Sequence, residues 1–233
     1  MSGILAIDTS GACCSVALLV GGELCEEREY TPRDHTRLVL PMVARLLAGA
    51  GLSLGQLDAL AFGRGPGSFT GLRISAGIVQ GLALGAELPV VGVSSLMAVA
   101  LPALHREPDG LALVCQDARM EEVYFGAYQR AAEGLQALGE ECLTTPSALL
   151  LPRAPGRRVL ALGSGWALCA ATGADPLPAD ALLEPSALPA AAAVAELGLL
   201  DWQRGHGVAA HQVEPVYLRE RVAWRQTTPV ASG

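Results

Sequence analysis

Ile4-Leu5-Ala6-Ile7-Asp8-Thr9-Ser10 opens the chain as an apolar run closed by an aspartate and turn residues, and Ala112-Leu113-Val114-Cys115-Gln116-Asp117-Ala118-Arg119 repeats that order later on. The same sequence of features follows each run. After Asp8 come Cys14 to Val20, the Gly21-Gly22 pair and Glu23 to Tyr30; after Asp117 come Glu122 to Tyr128, Gly134 and Leu135 to Leu138. Both stretches predict strand, turn, strand, turn, strand. Two such openings, with the hydrophilic linker His105 to Gly110 before the second, predict a duplicated α/β fold of two related lobes, 1–105 and 106–233.

Outward from the first opening, His35 to Ala50 carries Leu38, Val39, Met42, Val43, Leu46 and Leu47 at the three-four spacing of an amphipathic helix, with Pro41 inside it and Gly49 and Gly51 to stop it. Leu57 to Phe62 predicts a buried strand, Thr70 to Leu84 a second helix, Pro89 to Val93 another strand, and Ser94 the cap of a third helix. Strands alternating with helices predict parallel pairing. Prolines at 146, 152, 155, 176, 178, 185 and 189 punctuate the second half, where only a helix near Ala190 to Trp202 is legible.

A chain of 233 residues that is 51% hydrophobic can bury a full core. Its net charge of -7 argues against gripping a nucleic-acid backbone unaided, because that affinity comes from clustered Lys and Arg. Any nucleic acid would be reached through a partner. The six cysteines form no C-x-x-C pair and no secretory leader is read, so reduced thiols and a cytoplasmic location are expected. The uncharged run Leu88 to Leu104 is broken by Pro89 and Pro102, so no membrane span is expected.

Gly63-Arg64-Gly65-Pro66-Gly67-Ser68-Phe69-Thr70-Gly71-Leu72-Arg73 is a glycine loop running into a helix. It lacks the Lys-Ser/Thr of a Walker loop, and Ser68 or Thr70 stands where the last glycine of a dinucleotide fingerprint belongs. Gly65, Gly67, Ser68 and Thr70 can hold an anion on backbone amides, or Ser68 or Thr70 can cap the helix; without a basic side chain aimed at a phosphate, capping is preferred. Asp8 can hold a metal-bound water or close an Asx turn, the turn being the commoner use. His35, His105, His206 and His211 make no H-x-x-x-H, and no G-x-S-x-G frames a serine, so neither a metal site nor a serine hydrolase is predicted. Arg73, Gly77, Gly81 and Gly85 fall on one helix face. Each interior glycine costs about 1 kcal/mol against alanine, and a closely approaching helix, within the domain or from another subunit, would compensate. Arg219, Arg221 and Arg225, interleaved with Tyr217 and Trp224, suit RNA contact; with Glu214 and Glu220 beside them, a tail docked on the fold is preferred.

Taken together, Ile4 to Ser10, His35 with Leu40-Pro41-Met42, Gly63 to Ile74, Gly81-Leu82-Ala83, Gly92-Val93-Ser94, Asp117-Ala118-Arg119 and Pro215 to Arg219 resemble the TsaB family, also called YeaZ. The resemblance spans nearly the whole chain. It implies an actin/hexokinase/Hsp70-like (ASKHA) fold and a role in making threonylcarbamoyladenosine on tRNA, as a non-catalytic subunit without cofactor that binds and activates TsaD. It also implies a ternary complex with TsaE, a homodimer when alone, and tRNA met only through the complex. TsaC would supply threonylcarbamoyl-adenylate. TsaD holds its metal on an H-x-x-x-H helix; here Ser95 and Val99 occupy the ligand places, and neither replaces an imidazole. The implied partner or dimer interface is His35, Leu38, Val39, Met42 and Leu46 of the first helix with Thr70, Arg73, Ile74, Gly77, Ile78 and Gly81 of the second. Asp8 and the glycine loop would then be a vestigial nucleotide or anion loop. The alternative is an active ATPase or small-molecule kinase of the same fold.

Overall fold

The computed structural model describes residues 2–31, 34–152, 155–173 and 177–219. Strands β1 (Gly3–Asp8), β2 (Cys13–Val20) and β3 (Glu23–Tyr30) form the expected meander, joined by β4 (Ala59–Gly65) and β5 (Val90–Ser94). The sheet order is β3-β2-β1-β4-β5, antiparallel across the meander and parallel from β1 through β4 to β5. The second sheet is built from β6 (Leu111–Arg119), β7 (Glu122–Arg130), β8 (Leu135–Ala137), β9 (Cys142–Thr144), β10 (Val159–Leu162) and β11 (Leu182–Glu184). Its order, β8-β7-β6-β10-β11, and its strand directions repeat those of the first sheet. β8 pairs with Tyr128–Arg130 and β9 with Val123–Phe125, so the two short strands together stand where β3 stands in the first lobe.

Five α-helices complete the description: α1 (His35–Ala50), α2 (Phe69–Ala86), α3 (Ser95–Arg106), α4 (Gly165–Ala171) and α5 (Ala191–Gln203). β1 is buried on both faces, which explains its continuous apolar run. Leu5 and Ile7 pack on Val39, Met42 and Val43 of α1 and Ala76 and Val79 of α2. On the other face, Ile4 and Ala6 meet Val194 and Leu197 of α5. α5 approaches so closely that a side chain at Gly198 would overlap Ala61 of β4. α3, from the first half of the chain, instead covers Ala112, Val114 and Leu160 of the second sheet. Each half thus lends its last helix to the other half's sheet, and α3 touches α5 between them. Trp166 and Cys169 of α4 close the outer face of the second sheet. Two sheets of one topology with exchanged helices constitute the actin/hexokinase/Hsp70-like fold of two related lobes.

β4 begins two residues later than the sequence predicts and runs on through Gly65, so the glycine loop starts inside the sheet. Gly63 pairs with Val93 there, and any side chain on it would strike the Asp8 carboxylate. α1 passes uninterrupted through Pro41 and ends at Gly51, whose φ of +66° is left-handed. Unforeseen in the second half were β9, β10, β11 and α4, none longer than 7 residues.

Candidate functional site

The glycine loop is a close-packed joint. The Ser68 amide donates to Ser10 O at 2.7 Å, and Thr9 Oγ1 donates to Gly71 O at 2.7 Å. Side chains at Gly67 and Gly71 would overlap the carbonyls of Ser10 and Thr9. Gly65, at φ +112°, faces the Val216 carbonyl in the same way. Ser68 caps α2, its Oγ accepting from the Gly71 amide at 3.3 Å. The amides of Ser68 and Gly71 therefore have partners within the fold, and capping and close backbone contact account for Ser68, Gly67 and Gly71. Thr70 lies exposed on the first turn of α2.

Asp8 is fully buried, and its Oδ1 accepts from the amide and hydroxyl of Ser10 at 3.0 and 2.9 Å. Burial pushes its carboxyl up to about 6, while the Ser10 hydrogen bonds pull the other way. Asp117 does the same work in the second lobe, its Oδ1 accepting from the Arg119 amide at 2.7 Å. The sequence echo is thus a pair of equivalent Asx turns. Ser95 Oγ accepts from the Gly65 amide at 3.2 Å and Val99 is buried, so both are structural here. Among the described residues, no three His, Cys, Asp or Glu side chains gather as a metal site.

α2 presents two unlike faces. Leu72, Ala76, Val79 and Ala83 seat it on the first sheet. Opposite them, Arg73, Gly77, Gly81, Leu84 and Gly85 are exposed, and a side chain placed on any of the three glycines would meet nothing within 4 Å. Among the described residues, the glycines of the stripe pack against nothing in their own domain. Arg73 is the one charged residue of the helix; its guanidinium lies 3.8 Å over the Phe69 ring and its Nε donates to Tyr217 Oη at 3.4 Å. By length and composition α2 matches a membrane span, yet it already gives a third of itself to the core.

The first-helix residues expected at an interface are distributed differently. Val39 and Met42 are 0% and 3% exposed and hold α1 on the sheet, which removes them from any surface a partner can touch. Leu38 and Leu46, with Ile74 and Ile78 of α2, are half-buried. His35 is buried with no hydrogen-bond partner for Nδ1 among the described residues, and burial lowers its pKa, opposed by the Gly11 carbonyl. Exposed on α1 are Thr36, Arg37, Leu40, Pro41, Ala44, Arg45, Ala48, Gly49 and Ala50. Leu40 and Leu84 were missed; their signal is that both break the three-four period of the buried positions beside them.

Between the lobes runs a cleft of about 960 Å³. Ser10, His35 and Phe69 line it from the first half of the chain and Gln116, Arg119 and Ser164 from the second, with Tyr217 and Arg219 on one wall. Tyr217 and Arg219 dock on the fold; Arg221, Trp224 and Arg225 lie outside the described residues.

Comparison with known proteins brings three kinds of similarity to this geometry. Residues 28–176 match the family model of TsaD, tRNA N6-adenosine threonylcarbamoyltransferase. The tRNA threonylcarbamoyladenosine biosynthesis protein TsaB of Escherichia coli is 43% identical over 232 residues, covering 96% of this chain and 97% of its own length. That of Haemophilus influenzae is 39% identical over 240 residues, covering 96% of each chain. The solved structure of YeaZ from Pseudomonas aeruginosa superposes with a TM-score of 0.87 at 41% identity, covering 94% of this chain and 100% of that one.

Proposed function

This chain belongs to the TsaB (YeaZ) family, and from that premise we propose that it is a non-catalytic subunit of the tRNA threonylcarbamoyladenosine machinery, docking on a TsaD-type transferase through the open face of α2. The observation that carries the reading is the stripe Arg73, Gly77, Gly81, Gly85, exposed along an otherwise apolar helix. Interior glycines each cost about 1 kcal/mol against alanine. Among the described residues nothing uses the space they leave, whereas a partner helix laid along them would come within backbone distance. Leu84, 75% exposed, adds an apolar contact on the same helix face, and Leu40 of α1, 50% exposed, offers another.

In this reading the lobe 1–105 bears the partner surface and 106–233 the opposite wall of the cleft. Without a transferase the same stripe serves a second copy of the chain, as an isologous contact. TsaE joins the pair as a third component, and tRNA is met only through the complex, consistent with a net charge of -7. The complex works in the cytoplasm. Activation is a population shift: this chain binds the transfer-competent form of the transferase more tightly than the incompetent one. The internally bonded amides of Ser68 and Gly71 and the buried Asp8 support a subunit without chemistry of its own.

The test is association. Gly77→Leu puts a bulky side chain into open space, so the chain should stay folded while co-elution with a TsaD-type partner is lost; unchanged co-elution would show that the face is wrong. The cleft favours a second reading, an ATPase or small-molecule kinase of the same fold. Magnesium-dependent ATP turnover by the purified chain would establish that reading instead.

A further inference from the structure

The segment from Val213 to Arg219 crosses from one lobe to the other. On the first lobe, Gln80 Nε2 donates to Val213 O at 3.0 Å, the Val216 amide donates to Arg64 O at 2.7 Å, and the Tyr217 ring lies 5.3 Å from that of Phe69. On the second lobe, Arg219 gathers the β6–β7 turn. Its Nη1 pairs with Glu122 Oε2 at 2.6 Å and lies 3.3 Å from Met120 Sδ, and its Nη2 donates to the carbonyls of Ala118 and Arg119 at 3.1 and 3.4 Å.

That turn needs holding. Arg119, Met120 and Glu121 have φ of +66°, +58° and +61°, three consecutive non-glycine residues in the left-handed region. Arg119 pairs with Glu122, so Met120 and Glu121 are the centre of a two-residue hairpin with both φ positive, a turn that favours Asn-Gly. Conformations of this kind persist where the surroundings over-determine them. Arg219 supplies the over-determination, with one ion pair and two carbonyl contacts around a turn whose own residues disfavour it.

We propose that residues 213–219 are a latch that holds the β6–β7 turn in its left-handed form and makes it depend on the first turn of α2. Tyr217 holds the α2 end of the latch, its ring tilted against that of Phe69 and its hydroxyl accepting from Arg73, and Arg219 holds the β6–β7 end. Both ends and the turn border the same interlobe cleft. A partner that covers Arg73 displaces or clamps Tyr217, and the change reaches the cleft through Arg219. This last step rests on the docking reading above; the latch does not.

Amide hydrogen exchange on the chain alone tests it. Arg219→Ala should speed exchange at the amides of Arg119 and Glu122 at least tenfold. Tyr217→Ala, which alters contacts to the first lobe only, should do the same at that distant turn. Met120→Asn with Glu121→Gly, the residues the turn favours, should restore protection in the Arg219→Ala background. An unchanged turn in either single variant, or no restoration, would overturn the latch. Because no partner is present, that failure is distinct from failure of the α2 docking surface, which appears only in co-elution.

Discussion

Asp8 is a carboxyl whose burial works against its charge. Its folded pKa of about 6 lies above the ordinary 3.8, so its contribution to stability is fully present below pH 3.8 and is lost as pH rises through about 6. A shift of that size corresponds to about 3 kcal/mol at neutral pH. Asp8→Asn keeps an oxygen for the Ser10 donors without the charge. The variant should gain up to about 3 kcal/mol over the parent at pH 7 and little at pH 4, read from urea unfolding at both values. An equal difference at the two pH values would mean that Asp8 does not titrate in this window. The sequence made Asp8 conspicuous and favoured the Asx turn. Why Gly63, Gly67 and Gly71 accompany it was not legible, because the reason lies in close contacts, with the Asp8 carboxylate and with the carbonyls of Ser10 and Thr9, between segments some sixty positions apart.

At the scale of the element, α1 and α2 were predicted from their period, and both formed. Period alone does not separate a core face from a partner face, and the apolar positions of α1 answered to the core. Met42→Ala should therefore cost about 2–5 kcal/mol through the cavity it leaves. Gly81→Ala, on the open stripe of α2, should instead stabilise the isolated chain by about 0.5–1 kcal/mol. Thermal unfolding of the two variants separates the faces, and a stabilised Met42→Ala or a destabilised Gly81→Ala would reverse the assignment. The short strands β9, β10 and β11 were illegible because three or four residues carry too little alternation to register a period.

Across the whole molecule, the two lobes are joined by exchanged helices and by a polar contact that neither lobe could complete by itself. Tyr128 of β7 donates to Glu141 Oε1 at 2.6 Å, and Ser94, the cap of α3, donates to the same oxygen. Tyr128 is fully buried, so Tyr128→Phe should cost about 1.5–3 kcal/mol, the range for a hydrogen bond to a charged group, measured by denaturant unfolding. A loss below about 0.5 kcal/mol, roughly the scatter of surface changes, would mean that Tyr128 does not anchor the carboxylate that Ser94 meets from the other lobe. The duplication was readable from two short runs around Asp8 and Asp117. The exchange of α3 and α5 was not, because a helix's sequence records that one face is buried but not which sheet buries it.

We propose that this chain enables transfer by docking through the open face of α2 and performs no chemistry itself. The most direct test is threonylcarbamoyladenosine formation on tRNA by TsaC, TsaD and TsaE, with no added chain, with the parent chain and with folded Gly77→Leu. Modification should depend on the parent chain and fall at least tenfold with Gly77→Leu. Full modification without the chain, or undiminished modification with Gly77→Leu, would contradict this proposal.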